Sequence, residues 1–175
     1  MQTNWDKAVE IVLGHEGGEV SDPKDPGGHT NLGVTQSTLD RARKATSLDL
    51  PEGVGRLTTA QAKAIYKHLY WRAVKADELP AGVDLFAFDM AVNQGVDTAM
   101  RSLQEAAGTT VDGMWGPSTA GAIRDAEPKS LLIDFAALRG LHYAELSDDL
   151  VDRFGYGWYR RLIQTFWHAL TIMGA

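Results

Sequence analysis

Apolar residues recur at helical spacing along most of the chain, and this pattern restricts the fold more than any other feature. The clearest stripes are Trp5, Ala8, Val9, Val12 and Leu13; Ala62, Ile65, Tyr66 and Leu69; Leu85, Phe86, Phe88, Ala91 and Val92; and Leu131, Leu132, Phe135 and Leu138. Such spacing places apolar side chains on one face of an α-helix. Only the region between Val20 and Val34 and the turn near Val111 favour strand. The sequence therefore predicts a mainly α protein of about seven or eight helices, with a small β-hairpin and loop region near residues 18–35.

Capping and turn residues indicate where these helices begin. Thr35 or Ser37 can cap a short helix, and Asp97 can cap a later one. Pro128 suits the first turn of a long helix. The segment 155–158, Gly-Tyr-Gly-Trp, is typical of a helix-entry turn.

Composition excludes several kinds of protein. With 175 residues, 44% of them hydrophobic, the chain can bury one core or two small lobes. It has no cysteine, which excludes disulfides and thiolate chemistry. The formal net charge of -6 disfavours nucleic-acid binding, although Arg160-Arg161 is a basic pair. None of the five histidines pairs with another at i,i+4 spacing, and we predict neither a metal site nor a cofactor.

Glu16 lies at the end of the first apolar stripe and is the best candidate for a catalytic acid. Gly17 and Gly18 follow it and are expected to end the helix, which places Glu16 in the last turn. A negative charge there opposes the helix dipole, so we expect the pKa of this carboxyl to be raised. A general acid needs a raised pKa. The alternative is that Glu16 is an ordinary solvated residue that precedes the glycines at the end of the helix.

Further polar groups follow Glu16 in the sequence. Asp22 and Asp25 each precede a proline, which favours extended or turn conformations. Gly27-Gly28 permits a chain reversal, and residues 31–35 alternate polar and apolar side chains like one arm of a hairpin. Carboxylates, hydroxyls and an amide are thus expected close to Glu16.

Two motifs identify a family resemblance. The first comprises Glu16-Gly17-Gly18, residues 22–28 and residues 30–35; the second comprises residues 89–95, Leu103-Gln104 and residues 112–119. Over nearly its whole length the chain resembles the glycoside hydrolase family 108 muramidases, lysozyme-like endolysins of phages and prophages that carry a helical peptidoglycan-binding domain. The resemblance implies a lysozyme-like catalytic region at 1–88 and a peptidoglycan-binding-like region at 89–175, packed as one compact unit. Glu19 departs from the family pattern, which commonly has an aromatic residue there.

The resemblance also implies a reaction, which is hydrolysis of the β-1,4 bond between N-acetylmuramic acid and N-acetylglucosamine, with Glu16 as general acid. Such hydrolysis needs a protonated acid on the leaving oxygen and usually a second carboxylate or a held water. Asp25, nine residues after Glu16, is the candidate stabiliser or base, and Asp22 competes with it. Thr30 or Asn31 is the candidate for positioning water.

Other side chains are candidates for substrate binding, each with a structural alternative. Tyr70 and Trp71 could stack on sugar rings, or could belong to the core. Asp89 and Asn93, four residues apart on one helical face, could bind the catalytic loop or a sugar N-acetyl group, or could form helix–helix hydrogen bonds. The rings in segment 155–158 could also contact the wall polymer.

The expected partners are peptidoglycan glycan strands, without nucleic acid or stable membrane association. The N-terminus shows no export signal, and no stretch of about 18 apolar residues occurs. We therefore expect synthesis in the cytoplasm and action on the cell wall after release, through a holin-like pore or cell lysis, as in phage or gene-transfer-agent lysis. Two other functions stay open, a lytic transglycosylase and a non-catalytic peptidoglycan-binding or phage structural module.

Overall fold

The computed structural model describes residues 4–15 and 30–174. These residues contain eight α-helices and one two-stranded hairpin, which confirms the mainly α prediction. The elements are α1 (Trp5–His15), β1 (Thr30–Asn31), β2 (Val34–Thr35), α2 (Gln36–Ala45), α3 (Thr59–Tyr66), α4 (Val83–Gln94), α5 (Val96–Ala106), α6 (Pro117–Asp125), α7 (Pro128–Ala144) and α8 (Asp148–Met173). The chain divides into two compact units, one of residues 5–72 and one of Asn4 with residues 73–174.

In the first unit, β1 and β2 form an antiparallel hairpin in which Asn31 pairs with Val34. The two residues between them, Leu32 and Gly33, have φ values of 53° and 72°. A two-residue hairpin loop of this kind requires positive φ, which glycine adopts freely and leucine rarely does. The hairpin leads directly into α2.

Side-chain caps fix the starts of α2 and α3. Thr35 Oγ1 accepts a hydrogen bond of 3.1 Å from the backbone of Thr38, so Thr35 is the cap of α2. Thr58 and Gln61 form a reciprocal capping box at the start of α3. Both caps satisfy backbone N–H groups that a helix start would otherwise leave unpaired.

α3 continues into a single π-helical turn, Lys67–Trp71. The turn is closed by a 3.0 Å hydrogen bond from the backbone N–H of Arg72 to the carbonyl of Lys67. A π turn contains an extra residue compared with an α turn. Tyr66 and Trp71 are both buried although they are five residues apart, and the Trp71 ring packs edge-on against Trp5 at 5.4 Å.

In the second unit, α4 is the central helix and packs against α5, α7 and α8. Its residues 83–91 are all buried, as expected of a mostly apolar central helix, and they include Asp84 and Asp89. Asp84 secures its start, since Oδ1 accepts from the backbone of Gly82 at 2.8 Å and of Leu85 at 2.7 Å, and Oδ2 accepts from Asn4 at 2.8 Å. Burial raises the pKa of Asp84.

Two predicted boundaries are wrong. α5 begins at Val96 with Gly95 as its N-cap, so Asp97 lies inside the first turn, where it pairs with Arg101 at 2.9 Å. The segment 155–158 lies within α8 and is not a turn. There Trp158 stacks on Tyr143 of α7 at 5.4 Å, and such packing overrides the low helix propensity of glycine.

α8 has 26 residues, but neither it nor any other helix in the described part of the chain has the apolar length needed to cross a bilayer.

Candidate active site

The predicted catalytic pair, Glu16 and Asp25, lies outside the described residues. Their neighbours in the sequence are described on both sides, since α1 ends at His15 and the hairpin begins at Thr30. The roles of Glu16 and Asp25 therefore stay predictions. The other residues of the two motifs have the following contacts.

Asn31 anchors the hairpin to a short 3-10 helix at Val54–Arg56. Its Nδ2 donates to the carbonyl of Val54 at 3.1 Å and to that of Leu57 at 3.4 Å. Thr30, beside it, lies opposite Thr35 in the hairpin. The amide nitrogen of Asn31 is thus bound to the scaffold.

Gln36 fixes the same 3-10 helix from the start of α2, and sequence reasoning missed it. Its Oε1 accepts from the backbone of Val54 at 2.9 Å, while its Nε2 donates to the carbonyl of Glu52 at 2.8 Å and to Asp40 at 2.9 Å. The sequence signal that could have indicated this role was the position of Gln36, directly after the capping residue and next to the predicted hairpin. Together, Asn31 and Gln36 hold residues 52–57 beside the hairpin.

Tyr70 and Trp71 occupy different environments. Trp71 is 0% exposed and belongs to the core, which is the alternative that the sequence left open. Tyr70 is half-buried, with the guanidinium of Arg41 5.4 Å from its ring centre and Arg41 Nη2 donating to its hydroxyl at 2.8 Å. Of the two rings, that of Tyr70 is the one that reaches the surface.

Asp89 is completely buried and is bound by two arginines. Arg139 Nη1 lies 2.7 Å from Oδ2, and Arg161 contacts Oδ1 through Nη2 at 2.8 Å and Nε at 3.0 Å. Thr165 donates to Oδ2 at 3.1 Å. Burial alone would raise the pKa of Asp89, but the charges of Arg139 and Arg161 outweigh it and lower the pKa to about 2. This charged group connects α4 with α7 and α8.

Asn93 belongs to the same internal network. Its Oδ1 accepts from the hydroxyl of Tyr143 at 2.6 Å and from Arg139 Nη2 at 3.5 Å. Arg139 Nε also donates to that hydroxyl at 3.2 Å, and burial raises the pKa of Tyr143. The structure thus brings Asp89 and Asn93 together through Arg139. These are helix–helix hydrogen bonds, the alternative that the sequence left open.

Sequence reasoning also missed the role of Arg139. It follows Leu132 and Phe135 at helical spacing, so it lies on the apolar face of α7. A charged residue on an apolar face is seldom buried without a partner. That position was the signal of a buried ion pair, although the sequence did not show which carboxylate was the partner.

The second motif forms a turn built around Gln104, which is 0% exposed. Its Nε2 donates to Asp112 at 2.8 Å, to the carbonyl of Met114 at 2.9 Å and to Thr119 at 3.1 Å. Its Oε1 accepts from the backbone N–H groups of Asp112 at 3.1 Å and Gly113 at 2.8 Å. Two hydrogen bonds to its carboxylate lower the pKa of Asp112. The larger effect comes from the side chain of Gln104 and the smaller one from the backbone N–H of Met114. This turn is an internally satisfied structure that connects α5 to α6.

The comparisons with known proteins agree with both motifs. The family model "Glycosyl hydrolase 108" matches residues 9–95, and "Predicted Peptidoglycan domain" matches residues 98–163. The solved structure of Brucella abortus SagA has 34% sequence identity and a TM-score of 0.85, with 97% of this chain and 95% of that chain covered. The chain belongs to glycosyl hydrolase family 108. No curated protein sequence matched it.

Membership of family 108 makes this protein a glycoside hydrolase. The second family model supports peptidoglycan as its substrate, and it covers the Gln104 turn and much of α8. The first model covers the segment that contains Glu16, the hairpin, and α4 with Gly95. The two motifs noted in the sequence therefore lie in the two matched parts, except that residues 89–95 of the second motif lie in the first match.

Proposed function

We propose that this protein is an N-acetylmuramidase that hydrolyses the β-1,4 bond between N-acetylmuramic acid and N-acetylglucosamine. The observation that carries the proposal is the family 108 match over residues 9–95, which includes the whole segment 16–35. In this proposal Glu16 protonates the leaving oxygen. Asp25 stabilises the oxocarbenium-like transition state or activates water on the other face of the sugar.

The described residues support this site by positioning. The bonds from Asn31 and Gln36 to residues 52–57 hold the hairpin in which Thr30 and Asn31 lie. We propose that Thr30, with the oxygen of Asn31, orients water, and that the surface edge of Tyr70 contacts a sugar. The ion pairs of Asp89 fix α4 against α7 and α8 within the second unit.

Release of muropeptides from purified sacculi tests the reaction. Replacing Glu16 with Gln removes the acid and keeps the side-chain size, so the rate is expected to fall by roughly 10²- to 10⁴-fold. Glu19→Gln is the matched control, because it removes a carboxylate three residues later in the sequence that has no proposed role. An equal fall in the control, or an unchanged rate in Glu16→Gln, contradicts the proposal.

Two further variants and one product analysis identify the second group and the reaction. A larger rate loss in Asp25→Asn than in Asp22→Asn is expected if Asp25 is the stabiliser or base. Mass spectrometry of the products should show a reducing muramic acid end. A 1,6-anhydro end would instead identify a lytic transglycosylase, and intact sacculi with bound protein would identify a binding module.

We further propose that the enzyme acts in phage or gene-transfer-agent lysis and depends on a holin-like pore to reach the wall. Expression in the cytoplasm of a bacterial host should leave the cells intact until a holin is co-expressed. If the cells lyse at the same rate without the holin, the proposed dependence on a holin is wrong. The proposed hydrolysis reaction is not tested by that result.

A further inference from the structure

α8 presents a row of exposed side chains on the side opposite its packed face. Gly155, Thr165 and Ala169 are buried. Tyr156 is 85% exposed, Ile163 63% and Trp167 69%, and Arg160 is exposed between them. These four residues, which we call the α8 stripe, follow one another at intervals of four, three and four residues. That spacing places them along one narrow face of the helix, over about 16 Å of its length.

The charge of this region differs from that of the rest of the protein. The chain has a formal net charge of -6, and α8 begins with Asp148, Asp149 and Asp152. The exposed Asp152 lies four residues before Tyr156, and residues 153–174 contain three arginines and no aspartate or glutamate. Arg161 points inward and pairs with Asp89, whereas Arg153 and Arg160 are exposed. The stripe therefore combines large apolar rings with positive charge, and it suits a ligand that is both flat and anionic.

We propose that the α8 stripe binds the glycan strands of peptidoglycan together with their stem peptides. The rings of Tyr156 and Trp167 offer flat apolar surfaces to the C–H faces of pyranose rings. Arg160, between them, is placed to bind the carboxylates that stem peptides carry. The proposal rests on the proposed function for its ligand and adds a second wall contact, on α8.

Charge and composition favour this ligand over two other occupants. In a dimer through the stripe, Arg160 would be removed from water, and the stripe of the second copy contains no carboxylate to pair with it, since Asp152 lies four residues before Tyr156 and outside the stripe. Insertion into a lipid surface needs a broad apolar face, and the stripe has only three apolar side chains. A glycan strand needs neither condition.

Co-sedimentation with purified sacculi tests the proposal on the full chain. The Glu16→Gln background keeps the sacculi intact. In that background, Tyr156→Ala with Trp167→Ala should weaken binding by about tenfold or more, because exposed aromatics and arginine dominate such contacts. Arg160→Gln should weaken binding less and reduce its dependence on salt. Ile133→Ala with Leu141→Ala is the matched control, since these α7 side chains are 54% and 55% exposed, and binding should change less than about twofold.

Three results would overturn the proposal. The first is equal binding of sacculi by the stripe double variant and its parent, with circular dichroism showing that both are folded. The second is a parent dimer in light scattering that the double variant abolishes while sacculus binding is unchanged. The third is stripe-dependent binding to phosphatidylglycerol vesicles without binding to sacculi. Failure of the proposed function has a different readout, which is the absence of muropeptide release by the unsubstituted protein.

Discussion

Arg139 Nη1 lies 2.7 Å from Asp89 Oδ2, and both side chains are completely buried. Because no water reaches either group, each charge depends on the other and on Arg161, which contacts the second carboxylate oxygen at 2.8 Å. Removing one partner of a buried ion pair is costly, since it leaves the remaining charge without compensation.

Asp89→Asn is therefore expected to lower the free energy of unfolding by about 3 to 5 kcal/mol. Asp97→Asn is the matched control, because it breaks a pair with Arg101 in which the side chains are 72% and 45% exposed. Such a surface pair contributes about 0 to 1 kcal/mol. Urea unfolding measures both, and a smaller loss in Asp89→Asn than in Asp97→Asn would contradict the structural role.

The same group gives an acid dependence of known sign. The pKa of Asp89 is about 2 in the folded protein, below the ordinary 3.8, so the unfolded chain binds the proton more readily. The contribution of Asp89 to stability is present above about pH 4 and is lost as the pH falls towards 2, by about 2 kcal/mol. Unfolding curves between pH 5 and pH 2 should show a smaller loss in Asp89→Asn than in the unsubstituted protein. Equal losses would show that Asp89 does not titrate as described.

Comparing alanine substitutions at Gly82 and Gly95 distinguishes the cost of backbone strain from the cost of steric overlap. Both have positive φ, 87° and 95°. A Cβ at Gly82 would lie 2.6 Å from the carbonyl oxygen of Ala169, whereas nothing lies within 4 Å of one at Gly95. Gly95→Ala should cost about 1 to 3 kcal/mol from strain alone, since its φ of 95° with ψ of 154° is a conformation that essentially only glycine adopts, and Gly82→Ala should cost about 1 to 3 kcal/mol more. Thermal or urea unfolding measures the difference, and equal costs would disprove the close approach of α8.

Substitutions at Tyr70 test its proposed contact with a sugar. Tyr70→Phe keeps the ring and loses only the hydroxyl that accepts from Arg41. Tyr70→Ala removes the ring, and its KM for soluble glycan fragments should rise by about 2- to 12-fold, which corresponds to an aromatic contact of about 0.5 to 1.5 kcal/mol. Tyr70→Phe should stay within about twofold of the parent KM, because the ring remains. An unchanged KM in Tyr70→Ala would exclude the contact.

The helices were predictable because their signals are local. Apolar spacing and capping residues such as Thr35 lie within a few positions of the structure that they specify. Asp97 was wrongly taken as a cap because Gly95, with its positive φ, lets α5 start directly after α4.

The polar interior could not be predicted in the same way. Asp89 and Arg161 are 72 residues apart in the sequence, and only the packed helices bring them together. Gln104 belongs to the second motif, but its five hydrogen bonds to residues 112–119 form only when that segment folds into the turn around it. The candidate catalytic residues Glu16 and Asp25 rest on the family motif, and their roles stay predictions.

The π turn at Lys67–Trp71 makes this part of the chain sensitive to a change in length. Deleting one residue inside the turn would restore α-helical spacing and rotate the residues after the deletion by about 100° relative to α3. Trp71 would then leave its place against Trp5, and another side chain would face the core. The number of residues in this one turn therefore decides that Trp71 lies in the interior while its neighbour Tyr70 reaches the surface, independently of the chemistry of the two rings.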